Sequence, residues 1–369
     1  MYRRALLLQL AALSAAPLRA ASAGKQKNVL FLVSDDMRPE LGAYGASHVH
    51  SPHLDALAAD GMVFERSYIM VSLCMPSRTA FLTSRRPDTT KNYVIGAEYW
   101  RTTGGPNATT LPQHFKQSGY RTVGMGKIFH GAQFPWTPGQ CGKGQGECFS
   151  SGAWDGNFSW SQEAMPYFNF DNWSHYGDSV TFKAFDVPDN NMQDGMFADR
   201  AVSWIERFAG DQKAGDARPF FLGVGFHRPH VPYLAPQRYF DLYPEPEDIP
   251  LAAHPRHARN MPDVAYSVSK GLRVFQDCAA VHEDVERCYS DVEYAYSDAC
   301  VWVDGPRKLF AQNIRRAYWA CISYVDAQVG RIVDALKAQG LYDSTIISFN
   351  GDRKQNHAFS HWCARLLSR

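Results

Sequence analysis

Four short apolar runs, each ending abruptly in polar or charged residues, constrain this chain more than any other feature. They are Asn28 to Ser34, followed by Asp35-Asp36; Tyr120 to Gly126, followed by Lys127 and His130; Pro219 to Phe226, followed by His227, Arg228 and His230; and Ser344 to Phe349, followed by Asp352. Continuous apolar runs of this length suit strands buried on both faces of a parallel sheet. Helical patterns separate them. Ser51-Pro52 opens a short one holding Leu54, Leu57 and Ala58, with Ser51 as cap and Gly61 as stop. Thr110 to Gly119 repeats the design with Leu111 and Phe115, and Asn313 to Gln339 carries Ile314, Tyr318, Cys321, Val325, Val329 and Leu336 on one face. Strands alternating with helices predict an α/β fold, a large and mostly parallel sheet flanked by helices. Such sheets bind ligands at the carboxyl ends of their strands, where all four polar clusters fall.

Composition excludes some functions. Lys plus Arg total 38 against 37 Asp plus Glu, so no basic excess supports a nucleic-acid or polybasic membrane role. Any anion specificity is therefore local. At 369 residues and 45% hydrophobic content, there is enough apolar material for a large core. Met1-Tyr2-Arg3-Arg4, an apolar stretch to Leu13 and Ala21-Ser22-Ala23 read as a secretory signal peptide over 1–23. The apolar run is too short to span a membrane and is broken by Pro17 and Arg19. The triplets at Asn107, Asn157 and Asn172 fit passage through the secretory pathway. Of eight cysteines, Cys141 and Cys148 are the first expected pair. Cys278, Cys288 and Cys300 hold at most one more, and Cys321 reads as a buried free thiol. Residues 134–190 and 239–304 read as long excursions over the sheet rim.

Cys74-Met75-Pro76-Ser77-Arg78 carries the chemistry. Pro76 suits the first turn of a helix, which sets Cys74 at the positive end where free N–H groups attract an anion. Asp35, Asp36 and Asp352 add an oxygen-rich set suited to Ca²⁺ or Mg²⁺. An isolated Asp-Asp pair is more often a cap or a turn; placement after a buried strand, in a chain holding Cys74 to Arg78, reverses that reading.

The run Cys74 to Arg85 resembles the sulfatase signature C-x-P-S-R-x-x-x-L-T-G-R, of the alkaline-phosphatase-like superfamily, with Ser84 where glycine is usual. The resemblance covers Asn28 to Asp352, and it implies the sulfatase fold with a catalytic domain over 24–352. It implies that Cys74 is oxidised to formylglycine by the formylglycine-generating enzyme, and that Asp35, Asp36, residue 74 and Asp352 bind Ca²⁺. By the same resemblance a hydroxyl of the hydrated aldehyde attacks the sulfur of a sulfate ester, and the second hydroxyl lets the enzyme sulfate collapse. Arg78 favours deprotonation of the hydrated aldehyde, Lys127 holds the sulfate oxygens, His130 partners the formylglycine hydroxyl and His227 faces the leaving oxygen.

Arg85 to Thr90, Gly126 to His130 and Phe226 to Pro232 are most similar to the branch that removes 2-O-sulfate from iduronate in heparan or dermatan sulfate. This implies a sulfated glycosaminoglycan substrate and a lysosomal or secreted location. Trp100, Arg101 and His230 are expected as rim contacts to an acidic sugar. The resemblance breaks at Arg353, where the family has a metal-binding His or Asn. The divergent tail 353–369 spaces Phe359, Trp362, Cys363, Leu366 and Leu367 as one short helix, and against the resemblance the expectation is that the family's smaller C-terminal subdomain is missing. Three other readings stay open: an inactive sulfatase-like glycan binder, a metal-dependent phosphoryl hydrolase, and a thiol hydrolase using Cys74.

Overall fold

The computed structural model describes residues 26–94, 101, 105, 107–130, 159–161, 180–252, 277, 305–352 and 366–368. The proposed signal peptide, the Cys141–Cys148 pair, Cys278, Cys288, Cys300, Cys363, Trp100 and Arg353 lie outside them.

Six strands form the main sheet: β1 (Asn28–Ser34), β2 (Met62–Val63), β3 (Arg121–Gly126), β5 (Phe220–Phe226), β7 (Thr345–Gly351) and β8 (Leu366–Ser368). Their order is β2-β8-β7-β1-β5-β3. The pairs β7–β1, β1–β5 and β5–β3 are parallel, as the four apolar runs predict. β8 pairs antiparallel with both β7 and β2. The helical spacing expected of the tail is thus overturned over Leu366–Ser368. The edge of β7 offers unpaired ladder groups, and a short apolar pair such as Leu366-Leu367 serves a strand as readily as a helix. A second, two-stranded parallel ladder joins β4 (Phe182–Phe185) to β6 (Tyr233–Pro236).

Alternate residues of β1 divide the core in two. Val29, Phe31 and Val33 face one side, with Leu82, Phe115 and Phe221. This side is covered by α2 (Cys74–Thr83), continued by a short α3 (Pro87–Thr90), and by α4 (Leu111–Gln117). Leu30 and Leu32 face the other side, with Phe197, Ala201, Ile205, Ile322 and Val329. These come from α5 (Gln193–Lys213) and from a 34-residue helix (Gly305–Ala338), which starts eight residues before the expected Asn313. Phe208 stacks on Phe220 with ring centroids 4.4 Å apart. Cys321 is buried and unbridged, as expected.

Helix ends show what local sequence does and does not specify. Thr110 forms a full capping box with Gln113. Ser51 precedes α1 (Pro52–Ala59) but caps nothing: its hydroxyl accepts from Gly42 N–H at 3.0 Å, and the free N–H groups of His53 and Leu54 are taken by Asp326, on the long helix, at 3.2 and 2.7 Å. Arg101 is buried, donating to the Ala108 carbonyl at 2.8 Å and to Gln113 Oε1 at 2.9 Å. It anchors α4, so the expected rim contact to a sugar is corrected.

Ser84 ends α2 in the left-handed conformation, φ 54° and ψ 31°. A side chain there costs about 1 kcal/mol relative to glycine. Ser84→Gly is expected to stabilise the fold by roughly that amount, read as a higher urea midpoint with an unchanged slope; no gain would show that the serine is not strained.

Candidate active site

Strand register builds the site. Ser34 pairs with Gly351 and with Phe226, and Gly126 pairs with Gly225. The next residue in each strand is Asp35, Asp352, His227 and Lys127, so four chemically loaded side chains emerge side by side at the carboxyl edge. Backbone bonds hold them there: Asp35 N–H donates to the Phe226 carbonyl at 3.1 Å, Asp352 N–H to that of Ser34 at 3.2 Å, and Lys127 N–H to that of Gly225 at 2.7 Å. Glycine is required where β3 leaves the sheet. Gly126 has φ 65°, and a Cβ on Gly225 would overlap the Lys127 carbonyl. Asp36, at φ 59°, donates its N–H to Asp352 Oδ1 at 3.0 Å, and its carbonyl accepts from the Tyr318 hydroxyl at 2.9 Å.

α2 brings Cys74 to the same edge. Cys74 is the first helical residue, and Ser77 N–H closes the first turn onto the Leu73 carbonyl at 3.0 Å. Arg78, one turn on and 1% exposed, ties the helix to three strand ends. Its Nε meets Asp352 Oδ2 at 2.6 Å and its Nη2 meets Asp35 Oδ1 at 3.1 Å. Nη1 donates to the carbonyls of Lys127 and, at 3.1 Å, Ile128. The Lys127 ammonium pairs with Asp35 Oδ2.

These charges set the protonation of the site. Burial opposes the Asp35 carboxylate, but Lys127, His230 and Arg78 outweigh it and hold the group well below its ordinary range. Burial also works against the Lys127 ammonium, yet Asp35 raises its pKa. Asp352 is driven well above the usual carboxylate range, chiefly by burial and by Asp35 and Asp36, against the pull of Arg78. Burial raises the Cys74 thiol well above its ordinary value, reinforced by Asp35. An un-ionised buried thiol is a poor nucleophile, which weighs against the thiol-hydrolase reading.

The histidines sit in a different field. His130 is lowered to about 3, first by burial and then by Lys127; its Nδ1 is buried with no hydrogen-bond partner among the described residues. His227 is pushed well below its ordinary value by burial, Lys127 and His230. Both rings are neutral at any working pH until an anion arrives to offset Lys127. His230, expected at the rim, is half-buried and turned toward the carboxylates: its Nε2 is 3.9 Å from Asp35 Oδ2 and 3.7 Å from Asp36 Oδ2.

Asp194, near the start of α5, is the residue that sequence reading missed. Its carboxylate accepts the N–H groups of His227 at 2.7 Å and Arg228 at 2.9 Å, fixing the turn after β5. Burial raises it to about 6. The folded chain therefore binds a proton that an unfolded Asp releases near pH 4, and stability falls as pH rises from about 4 to 6. The lost increment reaches about 3 kcal/mol at order-of-magnitude level. Asp194→Asn lacks this dependence, so its deficit against the parent is expected to shrink between pH 4 and pH 7 in urea titrations; a deficit independent of pH would refute the assignment. Only a carboxyl just inside the helix, Gln193-Asp194-Gly195, hinted at this in the sequence.

Could these residues hold a cation? Oxygens of Asp35 and Asp36 and the Cys74 sulfur lie within 4.8 Å of one another, all buried. Asp352 is bonded to the Asp36 backbone beside them. Among the described residues, the three buried carboxylates face Arg78, Lys127 and His230, and the raised Asp352 reflects its burial first and then repulsion by Asp35 and Asp36. A hard divalent ion would relieve it, so the donor set fits Ca²⁺. A cavity of about 400 Å³ lies along α2, lined by Ser77, Phe81, Ser84, Arg85 and Asn350; none of the carboxylates or histidines lines it.

The Sulfatase family model matches residues 27–359. The chain belongs to the sulfatase family. Iduronate 2-sulfatase of Homo sapiens is 35% identical over 337 residues, covering 88% of this chain and 54% of that protein. A sulfatase of Formosa agariphila is 31% identical over 336 residues, covering 87% and 57%. This sulfatase-family chain thus spans about half the length of the curated relatives it matches. Among solved structures, a phosphonate monoester hydrolase of Agrobacterium radiobacter superposes with TM-score 0.62 at 20% identity, covering 93% of this chain and 68% of that one. The putative sulfatase yidJ of Bacteroides fragilis gives 0.57 at 20% identity, covering 95% and 69%. At that identity the likeness establishes the fold.

Proposed function

We propose that the chain is a sulfuric ester hydrolase acting on the 2-O-sulfate of iduronate in a heparan or dermatan sulfate chain. The observation that carries this is the meeting of Cys74, at a helix N-terminus, with Lys127, His227 and the carboxylates at four adjacent strand ends. Residue 74, once oxidised to formylglycine, supplies an aldehyde whose hydrate offers a nucleophilic oxygen and a second hydroxyl for release. Asp35, Asp36, Asp352 and residue 74 would hold Ca²⁺, which supplies Lewis-acid stabilisation of the sulfate oxygens.

The side chains then divide the work. Lys127 exchanges part of its bond to Asp35 for the sulfate oxygens and stabilises the charge that builds on them. Arg78, fixed by two carboxylates and two carbonyls, orients the carboxylates and biases the hydroxyl of residue 74 toward its anion. His130, neutral and half-buried, accepts from that hydroxyl. His227 donates to the leaving sugar oxygen once the bound ester offsets Lys127, which after burial is what depresses it most. The identity to iduronate 2-sulfatases and the segments Arg85 to Thr90 and Phe226 to Pro232 support the choice of sugar.

Sulfate release from a 2-O-sulfated iduronate disaccharide is the test. Turnover that calcium restores after chelation is expected. Glycan binding without release, from protein with residue 74 converted, would select the inactive binder instead; release of phosphate but not sulfate would select the phosphoryl hydrolase.

A further inference from the structure

We infer a second cation site at the same strand edge, formed by His227, His230 and Asp35, whose mixed nitrogen and oxygen donors take a borderline transition metal such as Zn²⁺ rather than Ca²⁺. One donor atom from each residue lies within 4.8 Å of the others. His230 Nε2 and Asp35 Oδ2 are 3.9 Å apart. Donors bound tetrahedrally at about 2.0–2.1 Å stand roughly 3.3 Å from one another, so this pair needs to close by about half an ångström. Imidazole favours Zn²⁺, Co²⁺ or Ni²⁺, whereas Ca²⁺ wants oxygen alone.

The His230 imidazole is held as metal ligands are held. His230 Nδ1 lies 2.5 Å from the Val231 carbonyl. A bond from Nδ1–H to that carbonyl fixes the tautomer and leaves Nε2 as the electron-pair donor aimed at Asp35, the usual outer-shell arrangement at metal-bound histidine. The His-x-x-His turn is rigid. Asp194 holds the N–H groups of His227 and Arg228, and the Ser34 hydroxyl donates to the Arg228 carbonyl at 2.6 Å. The Arg228 side chain donates back to the carbonyls of Leu234 at 3.0 Å and His230 at 2.9 Å. The two rings stand with centroids 5.1 Å apart.

Lys127 opposes the ion. Its ammonium pairs with Asp35 Oδ2, so ammonium and metal compete for one oxygen. Two opposite effects follow: removing an imidazole weakens binding, and removing the ammonium tightens it. An ion here also occupies His227 and Asp35, so it inhibits sulfate release; that consequence alone rests on the proposed activity.

The test is direct binding to calcium-saturated Cys74→Ala protein, which lacks the nearby thiol and does not depend on its conversion. Co²⁺ and Zn²⁺ are titrated by calorimetry and by the visible absorption of bound Co²⁺. One equivalent is expected, with no sulfur charge-transfer band. His230→Gln should weaken it by about 10–100-fold or more, and Lys127→Met should strengthen it, a gain that misfolding cannot produce. Affinity indifferent to both substitutions, a thiolate band, or simple displacement of Co²⁺ by Ca²⁺ would overturn the site.

Discussion

Cys74→Ala is expected to abolish sulfate release, on the order of 10⁴-fold or more, while leaving the melting temperature nearly unchanged. Removing a nucleophile eliminates the covalent route, and what remains is catalysis by binding and electrostatics alone. The structure separates this loss from a folding defect. Cys74 packs at the first helical position, but Arg78 and the strand register, not the thiol, hold α2 against the sheet. The deletion of one sulfur leaves a small cavity beside groups that already pair with one another. Rates compared on the 2-O-sulfated disaccharide, with unfolding followed in parallel, check both halves. Residual activity within tenfold of the parent would mean that residue 74 is not the reacting group.

Arg78→Met should destabilise the fold by about 3–5 kcal/mol, the cost of stranding buried charge. Among the described residues Arg78 is the single cation that touches both Asp35 and Asp352, and it also donates to the carbonyls of Lys127 and Ile128. Without it, two fully buried carboxyl groups face each other across the strand ends, and among the described residues Lys127 and His230 are left to offset them. Calcium is expected to recover a good part of the loss, because the ion replaces the missing positive charge. Arg78→Lys should fall between, since one ammonium cannot span two carboxylates and two carbonyls. Urea midpoints with and without calcium measure this. A loss below about 1 kcal/mol would show that the guanidinium does not hold the site together.

The fold was legible where one local pattern had one reading. The four apolar runs became the four parallel strands of the main sheet, and Pro76 and Thr110 marked helix starts. Much of the site was legible for the same reason: Asp35, Lys127, His227 and Asp352 each follow a buried strand directly, so locating the strands located the residues. What escaped depends on contacts distant in sequence. Nothing near Ser51 shows that its helix is capped by Asp326, some 270 residues away. Nothing near Arg101 shows that it is spent on α4. His230 looked peripheral because its position follows from the turn that Asp194 fixes. The tail was misread because Leu366-Leu367 fits either period, and only the edge of β7 decides between them.

The proposed chemistry turns on residue 74, and the mass of the tryptic peptide Ser67 to Arg78 reports its conversion without any assay of turnover. Protein secreted by cells that mature sulfatases should yield this peptide with an aldehyde in place of the Cys74 thiol. An intact thiol, from a host that converts a control sulfatase, would contradict the proposed mechanism at its first step.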